Sequence, residues 1–364
     1  MKYKKEILFY IPAALANKNA IGGQVTAAKG LLKYVTDQNL DFDLIDSANA
    51  TGKKYIKRRI IIFLEFLKLI MFSLFFKYRV SIFFKSTVFG LLLRYFPAII
   101  LKIKGTKTSI FFRNSSILNA SSIKISLARF FLKPYDVIFV QGSHLKSELI
   151  KLGFREEIIH IIPNWLSPTF INSKNYVNSN IQSEIVRFVF TGSIIEAKGV
   201  LKIIEAVEND SIPNKQYTLT FIGDGLLKNK LEKYCAQKKI YNINFLGTLQ
   251  HQELIDELRM HSVLLLPSFS EGFPNSVLEA LAIGKPVIVS GVGEIKDTVQ
   301  DNYNGFIIDP YRSETILQAM YCYINDRKLV NLHSERAIQS VIDRHNWKHN
   351  CYKLLCALDI QTLS

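Results

Sequence analysis

The sequence predicts an α/β protein of two domains, each built on a parallel sheet, and three observations carry that prediction. Short apolar runs fit for buried strands alternate with stretches of helical apolar period, the pattern of strands joined by crossover helices. The length of 364 residues is too great for one ordinary core. It suits two domains of roughly 150 to 200 residues. Residues 172–183 are a polar run rich in Asn and Ser with no apolar period. They are the expected linker between a domain at 1–171 and one at 184–344.

Residues 7–11 (ILFYI) are fit for a central strand. The N-terminus is basic and then apolar, but Pro12 interrupts it, so it reads as this strand and not as a signal peptide. The strand feeds a loop ending in Ile21-Gly22-Gly23-Gln24, and a helix is expected over 25–35. Paired glycines at a helix mouth let a ligand approach the backbone, where the helix dipole favours phosphate, so Gly22 and Gly23 are candidate binding residues. They lack the spacing of a dinucleotide fingerprint or a P-loop. Residues 40–45 alternate, which puts Asp41 and Asp43 on the polar face of a strand, not at a metal site. Strands are expected at 108–112 and 137–140, with a helix at 126–132 between them. Open α/β sheets bind ligands at the carboxyl ends of their strands, so Arg113, Asn114 and His144 become candidate ligand residues.

Residues 53–104 carry 12 Lys and Arg against one acid, Glu65, among dense Phe, Leu and Ile. Charges interrupt every window long enough to span a bilayer. Basic amphipathic helices with an apolar face lie in the membrane interface instead, so contact with an anionic membrane surface is expected. The charge of the whole chain is placed unevenly. Residues 1–180 hold 27 Lys and Arg against 10 Asp and Glu, while 181–364 hold 19 against 21. The first half is the part that meets something anionic. Nucleic acid is not the expected partner, because repeated Phe and Ile do not suit a solvated groove and no recognition motif is visible.

In the second half, residues 186–190 open the domain and lead to Thr191-Gly192-Ser193. Glu196-Ala197-Lys198-Gly199 is expected to start a helix. A lysine is unfavourable beside the positive end of a helix dipole, so Lys198 asks for an anion. Strands at 219–222 and 243–246 follow, the first ending in Gly223-Asp224-Gly225. His251 and Glu253 read as helix-start residues. The densest signal is LLLPSFSEGFPNSVLEALAIGKPVIVS, residues 264–290, read as strand, loop, helix, strand. Pro274 suits the first turn, Asn275 or Ser276 can cap it, and Val277, Leu278, Leu281 and Ala282 give an apolar face. Glu271 in the loop and Glu279 in the second turn put two carboxylates beside a helix N-terminus. That arrangement offers backbone donors to phosphate and acceptors to hydroxyls, the demands of a sugar nucleotide. Near the end, His345, Trp347 and His349 are expected on one helix. Asn346 stands where a zinc-protease helix needs glutamate, so packing is their expected role. The four cysteines lie in the second half without a C-x-x-C pair, which points to a reducing cytoplasm.

Glu271 and Glu279 with Gly272-Phe273-Pro274 after the first and Ala280-Leu281-Ala282-Ile283-Gly284-Lys285-Pro286-Val287 after the second resemble the donor-site signature of family 4 retaining glycosyltransferases. The resemblance implies the GT-B fold, two Rossmann-like domains facing across a cleft, with a last helix, about 345–364, crossing back onto the first. It implies a sugar-nucleotide donor, UDP-linked, bound mainly by the second domain without metal or other cofactor. Gly22, Gly23, Gly192, Ser193, Lys198, Gly272, Phe273, Asn275, Ser276 and Glu279 become donor-binding candidates. Lys198 and Glu271 become the catalytic pair, Glu271 holding sugar hydroxyls and Glu279 the ribose. Arg113, Asn114 and His144 become acceptor-side candidates, on a domain facing a lipid-linked or polysaccharide glycan at the cytoplasmic side of the membrane. Relatives often carry Arg where Ser193 stands and His near Arg113-Asn114, so this chain departs from the pattern at both places. A sugar-nucleotide 2-epimerase and a non-catalytic scaffold of the same fold are the alternatives.

Overall fold

The computed structural model describes residues 5–13, 15, 23–47, 55–85, 87–113, 122–166, 185–210 and 216–362. The expected linker lies outside them. Chain contacts divide the protein into one unit of Met1–Asn172 with His345–Ser364 and another of Ser173–Arg344.

In the first unit strands and helices alternate: β1 (Lys5–Ile11), α1 (Gly23–Asp37), β2 (Phe42–Asp46), α2 (Tyr55–Phe75), β3 (Tyr78–Lys85), α3 (Val88–Ile103), β4 (Lys107–Phe112), α4 (Ser122–Leu132), β5 (Val137–Val140), α5 (Ser143–Lys151) and β6 (Ile159–Ile161). Its strands pair in parallel in the order β2-β1-β3-β4-β5-β6. The second unit runs β7 (Val186–Thr191), α6 (Val200–Glu208), β8 (Tyr217–Ile222), α7 (Lys228–Gln237), β9 (Ile243–Gly247), α8 (His251–Met260), β10 (Val263–Leu266), α9 (Asn275–Ala282), β11 (Val287–Ser290), β12 (Gly305–Ile308), α10 (Ser313–Asn325) and α11 (Arg327–Arg344). Its sheet is also parallel, in the order β12-β11-β10-β7-β8-β9. A final helix, α12 (Trp347–Cys356), belongs to the first unit.

Strands of a parallel sheet are covered on both faces and so read as unbroken apolar runs. In the first unit α1 and α12 cover one face with Ala27, Leu31, Trp347 and Leu354. Helices α2 to α5 cover the other with Leu69, Leu91, Ala128 and Leu145. The unpatterned stretch 53–104 therefore hides a strand as well as helices. Val80, Ile82, Phe83 and Phe84 of β3 are buried between β1 and β4, in the middle of the sheet. Flanked by helical runs of the same composition, such a strand has no period of its own to betray it.

Asp43 of β2 accepts from the Tyr78 hydroxyl at 2.8 Å and lies 3.3 Å from Lys5 Nζ, so it fastens neighbouring strands. The C-terminal histidines differ from expectation. Helix α11 stops at Arg344, and Asn346 caps α12 by accepting from the His349 N–H at 3.1 Å, a role its side chain favours. His345 thus sits in the joint, not on a helix with His349, and its Nδ1 lies 2.6 Å from the Asn164 carbonyl oxygen. Among the described residues no helix is long and apolar enough to cross a membrane.

Candidate active site

Strand order locates the site. In the second unit β7 has β8 on one side and β10 on the other, so the winding of the chain reverses between β7 and β10. The crevice outside the carboxyl ends of strands at such a reversal is where open α/β sheets take ligands. Lys198 follows β7, and Glu271 follows β10. The Phe269 N–H donates to the Ala197 carbonyl at 3.0 Å and ties the two segments together. Across this tie the Lys198 ammonium donates to the Glu271 carboxylate. Ser268 Oγ donates to the same carboxylate oxygen at 2.8 Å. The Glu294 N–H holds the Gly272 carbonyl at 2.9 Å, fixing the loop from its far side.

Lys198 does not start the helix as expected. It ends a single 3-10 turn, Glu196–Lys198, after which Gly199 takes a left-handed φ of 70° and α6 begins. A Cβ on Gly199 would stand 2.0 Å from the Pro267 carbonyl oxygen, so only glycine lets the two segments come this close. The helix after Glu271 also corrects an expectation. Pro274, extended at φ −72°, occupies the cap position with no side-chain cap, and Asn275 and Ser276 form the first turn of α9. The fixed φ of proline sets where the helix begins, one residue ahead of both polar side chains. Phe273 packs inward, 9% exposed. Glu279, one turn on, is half-buried, and burial pushes its carboxyl up to about 7. Lys285 of the same motif has a different place. It is buried ahead of β11, at the opposite edge of the sheet, where its Nζ donates to the Arg259 carbonyl at 2.8 Å.

The ends of β7, β8 and β9 enclose a cavity of about 330 Å³ lined by Thr191, Gly192, Ser193, Gly223, Asp224 and Thr248. The Thr191 hydroxyl, buried at this cavity, has no hydrogen-bond partner in the protein. Ser268 and Thr191 were not singled out from the sequence. The signal they carried was slight: each is a polar residue at the end of an apolar strand run.

In the first unit Gly23 opens α1, while Gly22 and Asn114 lie outside the described residues. Arg113 follows β4 and is buried. Its Nη2 donates to Asn164 Oδ1 at 2.7 Å, its guanidinium lies 5.1 Å from the Phe111 ring centroid, and its Nη1 meets no partner. Burial pulls it down to about 9. His144 stands exposed in the first turn of α5, after the neighbouring strand β5.

Residues 174–340 match the family described as glycosyl transferases group 1. The match takes in nearly the whole of the second unit, Ser173–Arg344. An uncharacterized glycosyltransferase of Methanocaldococcus jannaschii is 30% identical over 39% of this chain and 39% of its own length. The UDP-Gal:alpha-D-GlcNAc-diphosphoundecaprenol alpha-1,3-galactosyltransferase of Escherichia coli is 30% identical over 44% of this chain and 42% of its own. The chain thus spans less than half the length of these two curated relatives. Among solved structures, HepE of Anabaena in complex with UDP-glucose superposes with a TM-score of 0.73 at 17% identity, covering 98% of this chain and 99% of that one. The two parallel sheets are those of the GT-B fold. Within the matched residues, the motif residues Glu271 and Glu279 and the distant Lys198 converge on one reversal of the sheet.

Proposed function

We propose that the protein transfers a hexosyl group from a UDP-linked sugar to a hydroxyl of a lipid-linked or surface-polysaccharide acceptor, with retention at the anomeric carbon. The observation that carries the reading is the pairing of Lys198 with Glu271 at the β7/β10 reversal, with Glu279 one helix turn away. The UDP-glucose in the HepE structure supports the donor class, and the diphosphoundecaprenol in the name of the Escherichia coli relative supports the acceptor class. Retention rests on the family resemblance.

In this reaction the bond from the anomeric carbon to the diphosphate oxygen breaks, a bond to the acceptor oxygen forms, and the acceptor hydroxyl passes its proton to the departing diphosphate. Negative charge grows on the leaving diphosphate, where the Lys198 ammonium stabilises it. The donor exchanges the partners of the pair: its diphosphate takes Lys198, and its sugar hydroxyls take Glu271. The cavity at Thr191 and Thr248 receives the base. Glu279, as a carboxylate, accepts from the ribose hydroxyls.

Two measurements test this division. Glu279→Gln raises the donor KM by about tenfold with little change in kcat, because a ribose contact is alike in ground and transition states, whereas Glu271→Gln mainly lowers kcat. Loss of donor affinity alone in both variants would show that the roles are misassigned. Intact donor binding with no turnover on any lipid-linked or glycan acceptor would favour the scaffold alternative.

Glu279 also predicts a pH dependence. Its carboxyl titrates at about 7 in the folded protein, and only the ionised form accepts from both ribose hydroxyls. Protonation therefore competes with donor binding. The donor KM is expected to be flat well above pH 7 and to rise below it towards a plateau about tenfold higher, the value of Glu279→Gln. Glu279→Gln flattens this profile. An unchanged profile in that variant would assign the titration to another group.

A further inference from the structure

Helix α2 is turned inside out. Towards the sheet it buries Glu65, Leu69 and Ser73, one every fourth position, while Phe63, Leu67, Met71, Leu74 and Phe75 face outward, each at least 44% exposed. Glu65 is the only acid in α2, α3 and α4, and it is turned away from solvent. There it favours the charged form of Arg94, itself buried with its guanidinium 4.0 Å from the Tyr10 ring centroid.

The neighbouring helices continue the pattern. Helix α3 exposes Phe89, Leu92, Phe96 and Ile103, and α4 exposes Ile123, Leu127 and Phe130, in both cases at helical spacing. Helix α3 packs between α2 and α4, with Tyr95 stacked on Phe130 at 5.0 Å, so the three apolar stripes lie side by side. Soluble surfaces rarely keep contiguous apolar patches larger than a few hundred Å². The charges exposed on these helices, Lys57, Arg59, Lys68, Lys102, Lys124 and Arg129, are all positive. At the C-terminal ends of α3 and α4 a cavity of about 430 Å³ is lined by Lys102, Arg129, Lys133 and Arg155, with Asp136 as its single acid. Lys102 neutralises that acid at 2.6 Å, which leaves the cavity a net cation site.

We propose that the face formed by α2, α3 and α4 docks the protein on an anionic lipid surface, its apolar stripes entering the acyl boundary and its basic cavity taking lipid phosphates. Charge complementarity selects this occupant. A second copy would bring the same basic face, its one cavity acid already paired with Lys102, against itself, on a chain of net charge +15. The inference rests on this surface alone and not on the glycosyl-transfer reading, so each can fail without the other.

The test is sedimentation of the full chain with vesicles of phosphatidylcholine alone or with about one quarter phosphatidylglycerol, at low and high salt. Binding to the anionic vesicles only, with partial release by high salt, is expected. Each surface base contributes about fivefold to partitioning, so Arg129→Gln, Lys133→Gln and Arg155→Gln together lower it by about two orders of magnitude. Phe63→Ser, Phe75→Ser, Phe89→Ser and Phe96→Ser together remove the salt-resistant fraction. These side chains are exposed, and an unchanged thermal midpoint and far-ultraviolet circular dichroism verify that both variants fold. Equal binding to the two vesicle types, binding to neither, or no loss in folded variants would overturn the proposal. So would a dimer in solution that the Phe variants convert to monomer.

Discussion

Lys198→Ala is expected to lower kcat by about two to three orders of magnitude, the scale of losing one stabiliser of developing transition-state charge. The expectation rests on position. Lys198 ends the turn after β7, and its ammonium is already held at the ligand edge of the sheet by Glu271. Its side chain is 25% exposed, so the pair sits at the surface of the site and contributes little to stability by itself. Ser268 still holds Glu271 in the variant, which leaves the loop its own anchor. Folding is therefore kept while chemistry is lost. Lys198→Arg, which keeps the charge in a different shape, should recover part of the rate. A kcat for Lys198→Ala within about threefold of wild type would remove Lys198 from the mechanism.

Gly199→Ala is expected to have the second largest effect, and it acts through the backbone. A non-glycine residue at its φ of 70° costs about 1–2 kcal/mol. The added Cβ, 2.0 Å from the Pro267 carbonyl oxygen, also forces apart the segments that carry Lys198 and Glu271. Such overpacking costs about 1–3 kcal/mol more. The variant should unfold at a distinctly lower temperature and lose at least about tenfold in turnover even where folded, because misplacing reacting groups by about 1 Å is costly. Gly105→Ala is the control. Gly105 has a similar φ of 78° but no atom within 4 Å of its added Cβ, so it reports the conformational cost alone. Equal effects of the two substitutions would show that the contact with Pro267 is unimportant.

Much of the site was legible because it is local. Glu271 and Glu279 belong to one strand, loop and helix, and helical spacing alone puts Glu279 in the second turn, close to the loop. Cap chemistry was less legible. Asn275 and Ser276 have the side chains of caps, yet the fixed backbone of Pro274 claims the cap position, a competition that composition does not rank. The half-burial that raises Glu279 depends on neighbours brought in by packing.

By itself the sequence determined two α/β domains on parallel sheets, the identity of the motif residues, and the concentration of positive charge in the first half, since each follows from runs, spacings and counts along the chain. Strand order was decided only by the tertiary structure. An apolar run states that a strand is buried on both faces but not which strands lie beside it. Lys198 and Glu271, 73 residues apart, meet because β10 returns to the far side of β7. Strand β3 was invisible inside 53–104 because the helical runs on either side share its composition, although it is central in its sheet. The sidedness of α2 was likewise settled by packing: its sequence is apolar nearly all round, and only its seat on the sheet turns Glu65 inward and Phe63 and Phe75 outward.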